Sequence, residues 1–307
     1  MSATVFIDGA AGTTGLEIAD RLSGRPEFTL LALDDAQRKD ASARRDAFHA
    51  ADFAVLCLPD EAALEAVALA EGSKVRIVDA STAHRVAAGW TYGFPEITGR
   101  EAVSSAARVS NPGCYPTGFI ALVAPLVRAG LLPADWPYTC NAVSGYSGGG
   151  KSLIARFEDD PDIAFRTYGL GLGHKHVPEM QTHAGLAIPP VFAPSVIPAH
   201  RGMVVEVPLP LVAMPGAGSP VAMRQALAAA YADSAIVSVH EDAPGEILLR
   251  RSQAPSDRLD LYVFAAEDGS QARLLTMLDN LGKGASGAAV QNLNLMAGLS
   301  EAAGLRL

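Results

Sequence analysis

The chain opens with a regular beat of apolar runs and turns. Residues 4–7 are mostly β-branched or aromatic, glycines follow at 9, 12 and 15, and residues 16–22 carry apolar side chains at helical spacing. This predicts a strand, a glycine turn and a helix. The beat repeats: 28–33 predicts a second strand, 41–50 a helix, 53–58 a third strand that stops at Pro59, 61–70 a helix, and 75–78 a strand leading into Asp79-Ala80-Ser81. Strands and helices alternating at this length build a doubly wound, Rossmann-type parallel sheet, an α/β fold that takes ligands at the carboxyl ends of its strands.

Past Val109 the texture changes. Runs at 138–143, 191–197, 202–207, 236–239 and 259–265 predict strands, joined by Pro-rich connections such as 209–220. They imply an α+β domain with a mixed sheet. Residues 284–299 read as helix, with Leu and Val at core spacing that suits packing on the first domain. The expected organisation is therefore 1–110 plus 284–307 as the nucleotide-binding domain, and 111–283 as the catalytic, substrate and dimerisation domain. The apolar, Pro-edged second domain favours a homo-oligomer, a dimer or tetramer.

Composition narrows the partners. With 307 residues, 49% of them hydrophobic, the chain can bury two cores. A net charge of −9 disfavours nucleic acid or an anionic membrane surface and leaves small molecules. The three cysteines, Cys57, Cys114 and Cys140, are too few and too scattered for a disulfide framework or a zinc site, so no metal is expected. Met1 leads directly into the first strand without a basic or apolar leader, and no apolar run approaches the ~18 residues of a membrane span. The expected compartment is the cytoplasm.

The chemistry centres on Cys114, in Ser110-Asn111-Pro112-Gly113-Cys114-Tyr115-Pro116-Thr117-Gly118, ahead of an apolar run at 119–127. A helix beginning near residue 116 aims its free N–H groups and positive dipole end at the sulfur, stabilising both thiolate and a neighbouring oxyanion. A cysteine nucleophile needs a group to take its proton, for which imidazole is suited. The densest polar cluster is His174-Lys175-His176-Val177-Pro178-Glu179. In an extended segment His174 and His176 share a side, one as the acid–base group and the other as a substrate donor.

Gly9, Gly12 and Gly15, with Thr13 and Thr14, stand where a first strand opens into a first helix, the place for a pyrophosphate. Asp34 and Asp35 come next, then Arg38 and Lys39. An acid there would reach a ribose hydroxyl and a base a 2′-phosphate; the basic pair favours NADP(H). Arg44 and Arg45 read as a solvated loop. Pro59 and Ser81, at strand ends, join the cofactor candidates. A second glycine-rich loop, Ser144-Gly145-Tyr146-Ser147-Gly148-Gly149-Gly150-Lys151, lacks the P-loop spacing and suits an anionic substrate or the nicotinamide end of the cofactor instead.

Together, 9–15, 92–96, 111–117, 144–149, 174–179 and 284–292 resemble the N-acetyl-γ-glutamyl-phosphate reductases, especially their shorter subfamily, over nearly the whole chain. The resemblance implies an NADP-dependent enzyme of arginine biosynthesis with its nucleophile at Cys114 and its acid–base histidine within 174–179, His176 before His174. It further implies that Asn292 lies in the region reaching the nicotinamide, and that Asn111, Tyr115, Ser147, Gly148, Lys151, Glu179 and Arg201 contact substrate, with Arg85 and Arg108 as further anion candidates. The implied course is thioester formation at Cys114, loss of phosphate, and hydride reduction to N-acetyl-L-glutamate 5-semialdehyde. A related enzyme acting on an aspartyl or aminoadipyl substrate carries the same signature, and a non-catalytic NADP-binding regulatory module is the rival from another class.

Overall fold

A computed structural model describes residues 2–34, 36–242 and 244–307. In chain order the first stretch runs β1 (Ala3–Asp8), α1 (Thr13–Leu22), β2 (Phe28–Leu31), α2 (Ala41–Ala50), β3 (Phe53–Leu56), α3 (Asp60–Leu69), β4 (Arg76–Asp79), β5 (Thr91–Tyr92), α4 (Pro95–Thr98), α5 (Arg100–Ser105) and β6 (Arg108–Ser110). Next come α6 (Cys114–Arg128), β7 (Thr139–Gly145), α7 (Gly150–Asp159), β8 (Arg166–Thr167), α8 (Val177–Ala184), β9 (Val191–Ile197) and β10 (Met203–Leu209). The remainder is α9 (Pro220–Ala230), β11 (Val237–Val239), β12 (Leu259–Ala265), β13 (Ala272–Leu278) and α10 (Gly287–Met296).

The chain divides into two compact units, Met1–Gly113 with Ala285–Leu305, and Cys114–Gly284 with Arg306–Leu307. The sequence pattern places these boundaries at 110/111 and 283/284. The first unit holds a six-stranded parallel sheet in the order β2-β1-β3-β4-β6-β5. Both of its faces are covered. Val5, Ile7, Val55 and Val78 bury one side under α1 and α10, through Ile18, Val290 and Leu293, while Phe6, Ala54, Leu56 and Ile77 bury the other against Phe48 and Ala66. Burial on both sides makes such strands read as unbroken apolar runs.

The second unit is a seven-stranded mixed sheet, β11-β12-β13-β10-β7-β9-β8, in which β11–β12 and β7–β9 are parallel and the other pairs antiparallel. Helix α6 lies on this sheet. Gly118 makes the close approach possible: a Cβ there would sit 2.7 Å from Val205 Cγ2 and 2.8 Å from Thr276 Oγ1. The helix is buried through nearly all of its length despite an internal proline, Pro125. Pro125 has no N–H for the carbonyl of Ala121, and the Tyr231 hydroxyl donates to that oxygen at 2.7 Å instead. A buried acceptor that would otherwise cost about 1–3 kcal/mol is thereby satisfied.

Candidate active site

Helix α6 begins at Cys114 itself, two residues earlier than the sequence predicts, with Pro116 in the first turn where a missing N–H costs nothing. The sulfur-bearing residue thus stands at the positive end of a 15-residue helix. Gly284 backs it from the far side: a Cβ on that glycine would meet Cys114 Cβ at 2.8 Å.

Cys114 lines a cavity of about 610 Å³ within the second unit, together with Tyr115, Tyr168, His174 and His176. The imidazoles lie 4.6 Å apart between centroids, and His176 is 6.0 Å from the Tyr115 ring. The segment carrying them is a turn in a loop, so the alternation of an extended segment does not set the direction of the two rings. His174 accepts from the His176 N–H through Nδ1 at 3.2 Å, and its carbonyl accepts from Val177 N–H at 3.0 Å, so that His176 becomes the N-cap of α8. Pro178, at the start of that helix, favours helix initiation over a continuing strand.

The two histidines have different environments. Burial, with Lys175 adding to it, lowers the pKa of His174 below the ordinary 6.5. Its ring is neutral at neutral pH, as an accepting Nδ1 requires. A depressed folded-state value means the unfolded chain takes the proton first. The stability contributed by this turn is therefore complete above about pH 6.5 and is lost as pH falls from there through the folded-state value. His176 is 9% exposed and keeps its ring toward the cavity. Burial also raises the Tyr115 phenol well above 10, and its hydroxyl donates to Ser195 O at 3.2 Å.

Of the residues named for substrate, Tyr115 and Gly148 line the cavity; the others are placed elsewhere. Ser147 is buried and its hydroxyl accepts from Asn280 Nδ2 at 2.9 Å. Lys151 is exposed on α7, Glu179 is buried in the first turn of α8, and Arg201 pairs with Asp279 at 2.8 Å. Asn111 belongs to the first unit, where its side chain donates to Ala285 O and accepts from Asn292. Arg85 spends donors on Asn111 O and Ala80 O, and Arg108 reaches over Trp90.

The cations that do line the cavity are Arg156, Arg166 and Lys175, and the sequence reading missed the two arginines. Arg156 is one helical turn beyond Ser152, another lining residue, a spacing that shares a helix face. Arg166 lies over the Tyr168 ring at 4.5 Å. No carboxylate is among the described lining residues.

In the first unit a second cavity of about 680 Å³ is lined by Gly9, Ala10, Ala11, Leu33, Arg38 and Lys39, among others. Gly9 has φ +90°, and a Cβ there would strike Cys57 O at 2.4 Å; Gly15 packs on Gly9 O, and Gly12 donates to it. The turn thus brings bare backbone to the cavity, as a pyrophosphate requires. Thr13 and Thr14 open α1 but do not line the cavity. Asp34 is used locally: its carboxylate accepts from Ala36 N and Gln37 N and holds the turn that carries Arg38 and Lys39. Asp35 lies outside the described residues.

Arg44 is not solvated. It is buried against Asp8 at 2.9 Å and reaches Glu65 at 3.1 Å; burial raises the Asp8 pKa while Arg44 opposes that shift. Pro59 is the N-cap of α3, and Ser81 donates its hydroxyl to Asp79 at 2.7 Å. Asn292 is fully buried and donates to Gly93 O and Asn111 Oδ1, leaving its own Oδ1 without a partner. That orphaned acceptor suits an amide donor such as a carboxamide.

Residues 4–106 match the model of the semialdehyde dehydrogenase NAD-binding domain, and 114–280 that of the semialdehyde dehydrogenase dimerisation domain. The chain is 48% identical over 317 residues to an N-acetyl-gamma-glutamyl-phosphate reductase of Trichormus variabilis, covering 98% of each. It is 50% identical over 309 residues to the reductase of that name from Brucella suis, covering 97% of this chain and 100% of that one. Among solved structures, aspartate semialdehyde dehydrogenase II from Vibrio cholerae superposes with TM-score 0.71 at 18% identity, over 96% of this chain and 98% of the other. That likeness speaks for the fold. Identity near one half, sustained over essentially the full length of both chains, places this protein in the N-acetyl-gamma-glutamyl-phosphate reductase family of semialdehyde dehydrogenases.

Proposed function

We propose that the protein reduces N-acetyl-γ-glutamyl phosphate to N-acetyl-L-glutamate 5-semialdehyde and phosphate, in arginine biosynthesis, through a thioester on Cys114. The observation that carries this is the cavity of the second unit. A thiol at a helix N-terminus shares it with two imidazoles and three cations, in a protein of net charge −9. An acyl phosphate that also bears a carboxylate brings about three negative charges, and the cations answer them.

Cys114 attacks the acyl carbon; the C–S bond forms as the bond to phosphate oxygen breaks, and His176 takes the thiol proton. Backbone N–H groups at the start of α6, at the positive end of its dipole, stabilise the oxyanion. The first-unit cavity suits NADPH: Gly9 to Ala11 for the pyrophosphate, and Arg38 and Lys39 for the 2′-phosphate; Asn292, buried outside this lining, is the family-implied partner of the carboxamide. When bound, the reduced nicotinamide supplies the hydride that takes the thioester to the aldehyde level. His176 then returns its proton to the thiohemiacetal oxygen, and collapse breaks the C–S bond and restores the thiol.

Two assays test the reading. In the reverse direction, phosphate-dependent NADP reduction prefers N-acetylglutamate semialdehyde over aspartate semialdehyde by at least about 100-fold in kcat/KM; a preference for the latter defeats the assignment. Replacing Arg38 and Lys39 together by Ala raises the KM for NADPH by about 10- to 100-fold, and leaves the KM for NADH within about twofold, because NADH lacks the 2′-phosphate that these side chains answer.

The matched dimerisation model implies a homo-oligomer. A dimer through the sheet face opposite α6 is the finer proposal: Val143, Val204 and Met277 form one half-buried apolar row there across β7, β10 and β13. Dependence on a reduced thiol and on NADPH fits the cytoplasm.

A further inference from the structure

The loop between β8 and α8 carries residues whose types do not suit the conformation they are in. Gly169 (φ +69°) opens a tight turn closed by Leu172 N–H to Gly169 O at 2.9 Å. Leu172 itself has φ +60°, the only non-glycine among the described residues on that side of the map. A left-handed leucine costs about 1–2 kcal/mol, and nothing in its packing repays it: the side chain is 64% exposed, and Leu170 beside it 77%. Gly171 and Gly173 show the opposite mismatch. Neither has positive φ, and a Cβ at either would have no neighbour closer than 4.0 Å. Glycine stands where any residue fits, and leucine where glycine belongs.

A sequence so mismatched to one backbone arrangement suits a second one, in which the glycines turn and the leucines are buried. The position of the loop says where. Its near root, Arg166 and Tyr168, and its far root, His174 to His176, both line the cavity that holds Cys114, so its tip is tethered at two points of the same rim.

Resting on the thioester reading above, we infer that residues 169–173 form a flap that folds Leu170 and Leu172 onto this cavity once acyl phosphate is bound, and that its function is to keep water from the thioester. Hydrolysis is the competing reaction: water adds to the thioester carbon, the C–O bond forms, the C–S bond breaks, and a carboxylic acid leaves with the thiol restored and no electrons transferred. Each such event consumes an acyl phosphate without consuming NADPH. Apolar side chains closing over the carbonyl suppress it and strengthen every electrostatic contact inside.

The test compares phosphate release with NADPH oxidation, for N-acetylglutamyl phosphate and the full-length protein. The wild type releases about one phosphate per NADPH oxidised. The double variant Leu170→Ser/Leu172→Ser releases several per NADPH, and at least about fivefold more than wild type when NADPH is left out. A second variant, Gly171→Ala/Gly173→Ala, keeps the wild-type melting temperature, since both methyl groups have room, yet loses about tenfold in kcat by stiffening the hinge. Ratios that stay at one in the leucine variant, or an unchanged kcat in the glycine variant, overturn the flap. A leucine variant that changes the oligomeric mass overturns it too, assigning these side chains to a subunit contact. Failure of the underlying reading looks different: the wild type itself then shows no coupled turnover of this substrate.

Discussion

The Cys114→Ser variant loses turnover by about 10³-fold or more while retaining its affinity for NADPH. The loss follows from chemistry more than from shape. A serine hydroxyl at the start of α6 keeps the geometry, but the helix dipole and a neighbouring imidazole cannot bring it to the alkoxide, whereas a thiol needs only a modest shift to ionise near neutral pH. No thioester can then form, and residual catalysis comes from binding and the oxyanion donors alone. Cofactor affinity is spared because Gly9, Arg38 and Lys39 belong to a cavity of the other unit. Steady-state rates and calorimetry with NADPH check both halves, and unchanged turnover would refute the thioester route.

His176→Asn follows with a loss of about 10²- to 10³-fold in kcat, the range typical of a lost general acid–base group. Asparagine is the informative replacement because His176 stands at the N-cap position of α8 without a side-chain capping bond, a position asparagine favours; helix and fold survive while the imidazole goes. The acidic limb of the pH–rate profile disappears with it. His174→Asn behaves otherwise. Its Nδ1 holds the His176 backbone, so the variant loosens the turn and weakens activity without removing that limb. A profile in which the roles are exchanged would make His174 the acid–base group.

Much of this was legible in the chain, for identifiable reasons. Residues 5–7, 53–56 and 77–78 sit in a parallel sheet covered on both faces, so their burial is written as continuous apolar runs. Cys114 is legible because Asn111, Pro112 and Gly113 ahead of it mark a turn, although Pro116 and Gly118 behind it lie inside α6. β13 escaped notice, as did the two-residue strands β5 and β8, which are too short to show a period. Helix α7 was hidden by its start: glycines at 148, 149 and 150 read as loop, which concealed Ser152 and Arg156 one turn apart and kept Arg156 out of the candidate list. Arg166 gives no local signal, since its role comes from lying over Tyr168 beside a cavity assembled from distant segments.

Lys151, Arg201 and Arg85 show the converse limit. As residue types each suits a phosphate or carboxylate, yet Arg201 answers Asp279 and Arg85 answers backbone carbonyls, while Lys151 faces solvent. Composition cannot say which cation is already committed to a structural partner. Asp34 carries the same lesson, since its carboxylate fastens the turn that presents Arg38 and Lys39.

The most direct measurement is intact-protein mass spectrometry after mixing the enzyme with N-acetylglutamyl phosphate without NADPH, followed by acid quench and peptide mapping. A thioester at Cys114 leaves one N-acetylglutamyl group per chain, released by hydroxylamine and mapped to the peptide containing Cys114. An unmodified Cys114 in enzyme that turns over once NADPH is added, or an acyl group on another residue, would contradict it.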